Sequence, residues 1–405
     1  MANTILTSQV ITNELLRRFE NQLNFSKTIR HEFDSKYARG GAYGKIGDTL
    51  NIRVPVKFTA VSGAAISVQD VTETQVPLVI DQQYHTAFKF TSADLTLKID
   101  DFSERYLKSA AVALANAVES YNITQAYYAV NHAVGTPGTV PNTFSTFTDA
   151  GAVLDDSAAP VDDERYVLLN PKTQSKMVDA LKGLFQSSEQ IKKQYLKGRM
   201  GTAAGFDWMM AQNIPTHTVG PLGGTPLVNG ASQTGSSLVT DGWTAAAASR
   251  LKKGDIFTIA GVYKVNPVSG NTLTDLEQFV VTADVSSDGS GNATIPIYPA
   301  ITTSGAYKTV SASPADNAAI TVLGAAGTLS PQNLAYHREA FAMAMVPLEV
   351  PQGVHFAAAQ TNPDTHVSMR IVSQYDISTD AFITRADVMW GFKTLLPTFA
   401  CRIAS

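Results

Sequence analysis

The strongest constraint on the fold is the run FKFTSADLTLKIDDFSERYLKSAAVALANAVES at residues 88–120. A strand pattern ends at Phe90, a polar turn follows, and Asp101 with Glu104 three residues later has the pattern of a capping box. The next apolar positions share one helical face: Leu107, Ala110, Ala111, Leu114, Val118 and Tyr121. A helix that continues to Asn131 is roughly 45 Å long. We therefore predict a long scaffold helix, whose Ala-rich face strands can approach closely.

The residues before this helix predict a long two-stranded β arm. Apolar and polar residues alternate over 50–58, and the alternation returns at 76–80 and again at 86–90. Pro55 and Pro77 each remove a backbone donor, which is typical of edge strands. Because an isolated hairpin is only marginally stable, the arm must rest on another surface. From the residues alone, that surface is its own domain.

The first forty residues predict one short amphipathic helix followed by a basic-leaning tail. Leu15, Phe19 and Leu23 fall on one helical stripe, and Thr12 or Asn13 is the predicted cap. The residues that follow are too polar to form a core of their own. From the residues alone, they are interpreted as a frayed terminus.

Two further segments follow the scaffold helix. Residues 166–169 predict a short buried strand, and Pro171 opens a second helix. Its apolar face is Met177, Val178, Leu181, Leu184 and Phe185. A glycine-rich loop then leads into another strand, and residues 366–402 alternate again as a closing hairpin.

Residues 219–334 have a different character. Helical periodicity disappears, and Gly, Ser, Thr and Pro separate short β runs, with a strong turn signal at 287–292. Such spacing predicts a small antiparallel barrel or sandwich. The flanking runs 211–218 and 338–350 are predicted to be neighbouring strands of one sheet, as an insertion into a host fold requires.

The residue types give no sign of a catalytic, cofactor or metal site. The segment 40–45 resembles a phosphate loop, but Arg39 and Ile46 replace residues that such a loop needs. The seven histidines have no ligand spacing, and the acids at 162–164 are interpreted as a solvated loop. The single cysteine, Cys401, excludes a disulfide framework. We expect a non-enzymatic, soluble protein, without a secretion signal or membrane helix, made in a reducing cytoplasm.

Low charge fits a protein that buries much of its own surface against copies of itself. Only 16% of residues are charged, against roughly 25% in an ordinary soluble domain, and interface cores are depleted in charge. The net charge of −4 gives no overall attraction for nucleic acid. An ordinary β-rich soluble protein remains compatible with composition alone.

The run at 88–120 closely resembles the entry to the long spine helix of tailed-bacteriophage major capsid (coat) proteins. The group it resembles is the podovirus-type coat family, whose members carry an inserted β domain; RLKKGDIFTIAGVYKV at 250–265 is similar to the start of that insert. Relatives place a long charged loop just before this strand. Here the corresponding stretch, 237–250, is interpreted as a short and nearly uncharged loop.

The resemblance implies an α+β tailed-phage capsid fold with an inserted antiparallel β-barrel. The implied parts are an N-terminal arm (1–46), an extended β-hairpin (47–93), a peripheral domain with the spine helix (94–164 and 363–405), an axial domain (165–218 and 335–362) and the inserted barrel (219–334). The resemblance further implies that the N-terminal arm lies along neighbouring subunits and that the hairpin rests on the adjacent subunit.

It further implies a major capsid protein that assembles into the pentamers and hexamers of an icosahedral virion shell around double-stranded DNA. The expected partners are the chain itself, a scaffolding protein and a portal, with nonspecific proximity to packaged DNA and no membrane. Synthesis is expected in the host cytoplasm. The alternatives are a decoration or tail component, or a carbohydrate-binding β protein.

Overall fold

A computed structural model describes residues 8–31, 49–58, 63, 68, 73–91, 108–181, 201–362 and 365–405. Several sequence predictions concern residues outside these ranges. They are the capping box at Asp101 and Glu104, the segment 40–45, most of the hairpin tip, and the helix positions Leu184 and Phe185. The described residues form a mixed α+β fold, as predicted.

The helices of the described ranges are α1 Ser8–Glu20, α2 Phe25–Thr28, α3 Lys108–Ala129, α4 Ser145–Asp156 and α5 Pro171–Leu181. The strands up to residue 243 are β1 Thr49–Arg53, β2 Gln75–Val79, β3 Gln82–Thr91, β4 Ala133–Gly135, β5 Arg165–Leu169, β6 Thr202–Ala203, β7 Phe206–Met210, β8 Thr216–Thr218, β9 Gly224–Val228 and β10 Gly235–Trp243. The later strands are β11 Ser249–Leu251, β12 Ile256–Val265, β13 Thr272–Val281, β14 Val285–Ser286, β15 Ala293–Ile301, β16 Ile320–Val322, β17 Leu329–His337, β18 Phe341–Met345, β19 Phe356–Thr361, β20 Ser368–Asp376, β21 Ala381–Thr394 and β22 Ala400–Ala404. No helix of the described ranges has the length and apolar character that a membrane crossing requires.

The chain divides into two compact units. The first consists of 1–52, 75–122 and 341–393, and the second of 53–74, 123–340 and 394–405. The first unit is built on a five-stranded sheet in which β18, β21, β20 and β19 follow in order and β3 also pairs with β21. The predicted closing hairpin is thus confirmed as β20 and β21, which pair antiparallel over seven residues each.

Helix α1 belongs to the first unit, where it contacts β19 and β20. The predicted apolar stripe is confirmed, since Leu15 and Phe19 are fully buried. The predicted cap is wrong, because Thr12 and Asn13 lie inside a helix that begins at Ser8. The following residues are also more than a polar tail: Phe25 and Ile29 are fully buried. They join a core supplied by distant segments, which the local pattern cannot reveal.

The scaffold helix is confirmed as α3, a helix of 22 described residues. Its predicted inward positions Ala110, Ala111, Leu114 and Val118 are all buried. The helix ends at Ala129, two residues before the predicted end.

The root of the predicted arm is a two-stranded sheet of β1 and β2 in the first unit. Leu50, Ile52 and Leu78 are buried, which agrees with the predicted alternation. The first strand is shorter than predicted, since β1 ends at Arg53. Pro55 explains the early end, because it has no N–H to continue the ladder.

The second unit contains a seven-stranded sheet in the order β4-β22-β17-β5-β7-β6, with β8 also paired to β17. Pairs β22–β4 and β5–β7 are parallel, and the others with a known register are antiparallel. Helices α4 and α5 pack against this sheet through Phe147, Leu154 and Met177, all fully buried. The predicted strand at 166–169 and the helix that Pro171 opens are both confirmed.

A six-stranded antiparallel sheet, β16-β12-β13-β15-β10-β9, occupies residues 224–322 of the same unit. Its ends approach each other: the Val228 N–H donates to Ala318 O at 3.0 Å, and the Asn317 N–H donates to Val228 O at 2.9 Å. The sheet is therefore a nearly closed barrel around its own apolar core, which includes Phe257, Phe279 and Ile295. The stretch 237–250, interpreted as a loop, is instead largely strand, since 235–243 form β10.

The prediction that the flanks 211–218 and 338–350 are neighbouring strands of one sheet is wrong. The strand that pairs with β8 is β17, whereas β18 belongs to the five-stranded sheet of the first unit. A 3-10 turn at Arg338–Ala340 separates β17 from β18. Apolar composition alone does not say which sheet a strand enters.

Candidate assembly elements

The β1–β2 arm carries large apolar side chains that stay exposed. Beyond the ladder, Val54 N–H donates to Thr74 O at 3.0 Å and Arg53 lies 3.6 Å from Glu73, so the two limbs stay together past β1. Phe58 is 61% exposed and Val68 is 88% exposed. Exposed apolar side chains of this kind suit contact with another molecule.

The root of the arm is fixed by a close backbone approach. A Cβ atom added at Gly391 of β21 would lie 2.1 Å from the Val79 carbonyl oxygen at the end of β2. Only glycine fits without a shift of one strand. The neighbouring β3 pairs with β21 over ten residues, from Thr91 opposite Ala381 to Gln82 opposite Trp390. β2 and β3 are therefore firmly held against β21 within the first unit.

Helix α3 anchors the N-terminal segment through one buried carboxylate. Glu119 accepts hydrogen bonds from the amides of Phe25 at 2.9 Å and Ser26 at 2.8 Å. These amides open the short helix α2, where N–H groups lack intrahelical partners. A parallel bridge between Arg30 and Ala342 fixes the far end of the segment to β18.

Burial dominates the electrostatics of Glu119. Loss of solvent raises the pKa of this carboxyl above its usual value, and the hydrogen bonds from Ser26, Phe25 and Asn24 only partly oppose that shift. A carboxylate without a cationic partner is costly to bury. The anchor therefore depends on hydrogen bonds and not on an ion pair.

A second buried acid in the first unit does have cationic partners. Asp387 is fully buried, with Arg370 Nη2 at 2.8 Å from one carboxylate oxygen and Arg385 Nε at 2.6 Å from the other. Arg370 also donates to the Glu349 carbonyl at 2.7 Å. This cluster joins β20 and β21 to the segment after β18.

In the second unit, Asp255 organises the entry to β12. Its carboxylate oxygens accept from the amides of Lys252 at 2.7 Å and Gly220 at 3.1 Å, and His217 Nε2 lies 2.7 Å away. Arg402 of β22 is 1% exposed and donates from Nη1 to the Gly254 carbonyl at 2.8 Å. The entry to the six-stranded sheet is thus hydrogen-bonded to β8 and β22 of the seven-stranded sheet.

Three residues at the end of β17 and in the loop before β5 lie close enough together to be considered as metal ligands. The candidate ligand atoms of Asp162, Glu164 and His337 lie within 4.8 Å of one another. Hydrogen bonds and an ion pair explain why these three side chains lie together. His337 Nδ1 accepts a hydrogen bond from the Glu339 amide, so its Nε2 carries the proton and donates to Asp162 at 3.1 Å. Arg338 pairs with Glu164 at 2.7 Å. Both acids are exposed by more than 40%, which agrees with the predicted solvated loop.

Sequence reasoning missed most of these polar groups. Glu119 and Ser26 are 93 residues apart in the chain, and His337 and Asp162 are 175 apart. His132 and Glu277, which are 145 residues apart and both buried, form another such pair, with Nε2 3.5 Å from Oε1. No local spacing signals pairs of this kind.

An exposed arm, an anchored N-terminal segment and a self-contained β barrel define a protein organised around contact surfaces, which is a structural protein. The family described as "P22 coat protein - gene protein 5" matches residues 1–401. The chain belongs to this family, so it is a bacteriophage coat protein of the virion capsid and not an enzyme. The resemblance predicted from residues 88–120 is thereby confirmed.

Solved structures with similar folds are also phage or capsid-like proteins. A Mycobacterium phage Che8 structure matches with a TM-score of 0.45 and 14% identity, over 94% of this chain and 90% of that chain. The capsid of Ralstonia phage GP4 matches with a TM-score of 0.44 and 8% identity, over 96% and 90%. A virus-like particle from Pyrococcus furiosus matches with a TM-score of 0.39 and 9% identity, over 98% of both chains. Because these scores are low, the assignment rests on the family match. No curated protein sequence matches significantly.

Proposed function

We propose that the chain assembles into pentamers and hexamers of an icosahedral shell that encloses double-stranded DNA, and that the β1–β2 arm acts between subunits. The observation that carries the proposal is the arm itself, which is fixed at its root by Gly391 and exposes Phe58 beyond it. Full burial of one such aromatic side chain is worth about 1.5–3 kcal/mol. A shell repeats that contact at every subunit.

We further propose how the chain is divided into the domains of a capsid protein. The arm is taken as 47–93, the N-terminal arm as 1–46, and the peripheral domain as 94–164 with 363–405. The axial domain is taken as 165–218 with 335–340, because β18 and β19, in the expected return part up to 362, belong to the sheet of β20 and β21. The inserted domain is 219–334, and the self-contained core of the six-stranded sheet supports it. We expect the insert to project from the shell and to stabilise the subunit.

The proposed partners are proteins that take part in assembly of the shell. A scaffolding protein and a portal guide closure of the shell, and synthesis takes place in the host cytoplasm. The net charge of −4 supports only a weak, nonspecific contact with packaged DNA.

Replacement of 62–67 at the arm tip by a Gly-Ser linker tests the proposal. A matched control replaces 267–270, the turn between β12 and β13 in the six-stranded sheet. We expect the arm variant to keep the thermal unfolding temperature of the wild type while losing capsomer and shell formation by light scattering and electron microscopy. The control is expected to assemble. Equal losses of stability and assembly in the arm variant would show that the arm serves its own subunit, and normal assembly would exclude the proposed role.

A further inference from the structure

Arg402 presents an unusual pair of donors inside the second unit. The guanidinium is buried, and Nη1 donates to the Gly254 carbonyl at 2.8 Å. Nε and Nη2, which point from the same edge of the guanidinium, have no hydrogen-bond partner among the described residues. A buried donor without a partner keeps the full cost of its lost hydration. Protein interiors therefore seldom leave two such donors together.

Arg370 shows which kind of acceptor the Nε–Nη2 edge of an arginine can bind. Arg370 directs Nε and Nη2 to a single oxygen of Asp387, at 3.3 and 2.8 Å. One acceptor atom thus satisfies both donors. Arg402 has the same geometry available, without a carboxylate in that position.

Arg402 also lines a cavity in the second unit. Its volume is about 20 Å³, and its polar lining comes from His217, Asp255, Ser330, Gln332 and Arg402. A single water molecule needs roughly 10–15 Å³ on this measure. The cavity therefore has room for one water-sized acceptor.

We propose that the Nε–Nη2 edge of Arg402 is a binding site for one water-sized hydrogen-bond acceptor, either an ordered water molecule or a halide ion. The acceptor joins β22, which carries Arg402, to the turn at Gly254 and Asp255 and to β8, which carries His217. The charge of the lining bears on its identity. The cationic edge of Arg402 attracts a halide, whereas the carboxylate of Asp255 in the same lining favours a water molecule.

Burial is consistent with an incompletely satisfied guanidinium. It lowers the pKa of Arg402 to about 10, against the opposing influence of Tyr127 and Asp255. The Tyr127 ring, with its centroid 5.9 Å from the guanidinium carbon, covers the group without accepting a conventional hydrogen bond.

Two measurements on the full-length chain distinguish a bound halide ion from a bound water molecule. Excess chlorine-35 NMR line width in sodium chloride reports a bound halide, and oxygen-17 relaxation dispersion counts long-lived internal water molecules. We expect Arg402→Lys, which keeps the charge but loses the forked edge, either to abolish the excess line width or to remove one long-lived water. Arg370→Lys is the matched control and is expected to change neither signal.

A map of the wild-type protein at a resolution that shows ordered water supplies a test that needs no variant. Density within hydrogen-bond distance of both Nε and Nη2 of Arg402 supports the site even if Arg402→Lys does not fold. A dry cavity in that map, or variant signals identical to those of the wild type, would overturn the proposal.

Discussion

The indole Nε1 of Trp390 donates a hydrogen bond to Oδ1 of Asn122 at 3.0 Å, and both residues are fully buried. Asn122 also donates to Ser26 Oγ at 2.9 Å and approaches Met343 Sδ at 3.1 Å. One amide on α3 thus joins the long strand β21, the N-terminal segment and β18 inside the first unit. Such a network is stable only while every member keeps its partner.

Replacement of Asn122 by leucine should destabilise the protein by about 1–3 kcal/mol or more, because it leaves the buried Trp390 N–H without an acceptor. Urea unfolding followed by tryptophan fluorescence measures the change. Asn271→Leu, at an exposed position before β13, is the control and should have little effect. Equal stabilities of the two variants would contradict the importance of the Asn122 network.

The pH dependence of stability should reveal Glu119. Burial raises its pKa in the folded state, so the stability that this group contributes is fully present below the unfolded value of 4.5 and is lost as the pH rises through the folded value. Each unit of increase corresponds to about 1.4 kcal/mol. The free energy of unfolding of the wild type should therefore fall relative to Glu119→Gln as the pH rises above 4.5. Parallel pH profiles of the two proteins would show that the folded and unfolded pKa values are equal.

Much of the fold could be predicted from regular patterns of apolar residues in the sequence. The stripe of Ala110, Leu114 and Val118 indicated α3, and the alternation around Phe257 and Ile259 indicated β12, because periodic burial leaves a periodic sequence. The arm root followed from the alternation of Leu50 and Ile52. These features depend only on neighbours in the chain.

Features that depend on distant partners were not predictable in the same way. Phe25 and Ile29 lie in a polar stretch, and their burial depends on α3 and β18. The entry of β18 into the first unit's sheet is set by the turn at Arg338–Ala340, not by its composition. The partners of Glu119, Asn122 and Arg402 are likewise tens to hundreds of residues away, so no local motif identifies these anchors.

Gly391→Ala should loosen the root of the arm. The new Cβ would meet the Val79 carbonyl oxygen at 2.1 Å, so β2 or β21 must move, at a cost of about 1–3 kcal/mol. Differential scanning calorimetry measures the loss of stability, and light scattering measures assembly. Gly289→Ala, where an added Cβ meets nothing within 4 Å, is the control. A melting temperature unchanged by Gly391→Ala would show that the strands separate there at no cost.

Cys401 should be chemically inert in the folded chain. It is fully buried in the core of the seven-stranded sheet, and burial raises the pKa of its thiol to about 12. The thiolate is the reactive form, so labelling by iodoacetamide at pH 8 should require unfolding. Mass spectrometry with and without urea checks this. Rapid labelling of the native protein would place Cys401 at an accessible surface.

The six-stranded sheet should fold as an independent domain when residues 219–328 are expressed alone. The two ends of this fragment are already hydrogen-bonded to each other: the Val219 N–H donates to Thr328 O at 3.0 Å, and the Gly327 N–H donates to Val219 O at 3.1 Å. Its core includes the stacked rings of Phe257 and Phe279, with centroids 5.8 Å apart, and a fragment of this size can bury enough apolar surface for stability. The cut at 328 leaves out β17, which pairs with β5, β8 and β22 in the other sheet.

We expect the fragment to give dispersed amide resonances, a β-rich circular dichroism spectrum and one cooperative melt, with slow folding because most strand pairs are distant in sequence. Phe257→Ala should lower the stability of the fragment by about 3–5 kcal/mol, whereas Val268→Ala, at a position 72% exposed, should have little effect. A fragment that remains unfolded, or that folds only when 160–218 is added, would mean that the barrel is continuous with the seven-stranded sheet and is not an inserted domain.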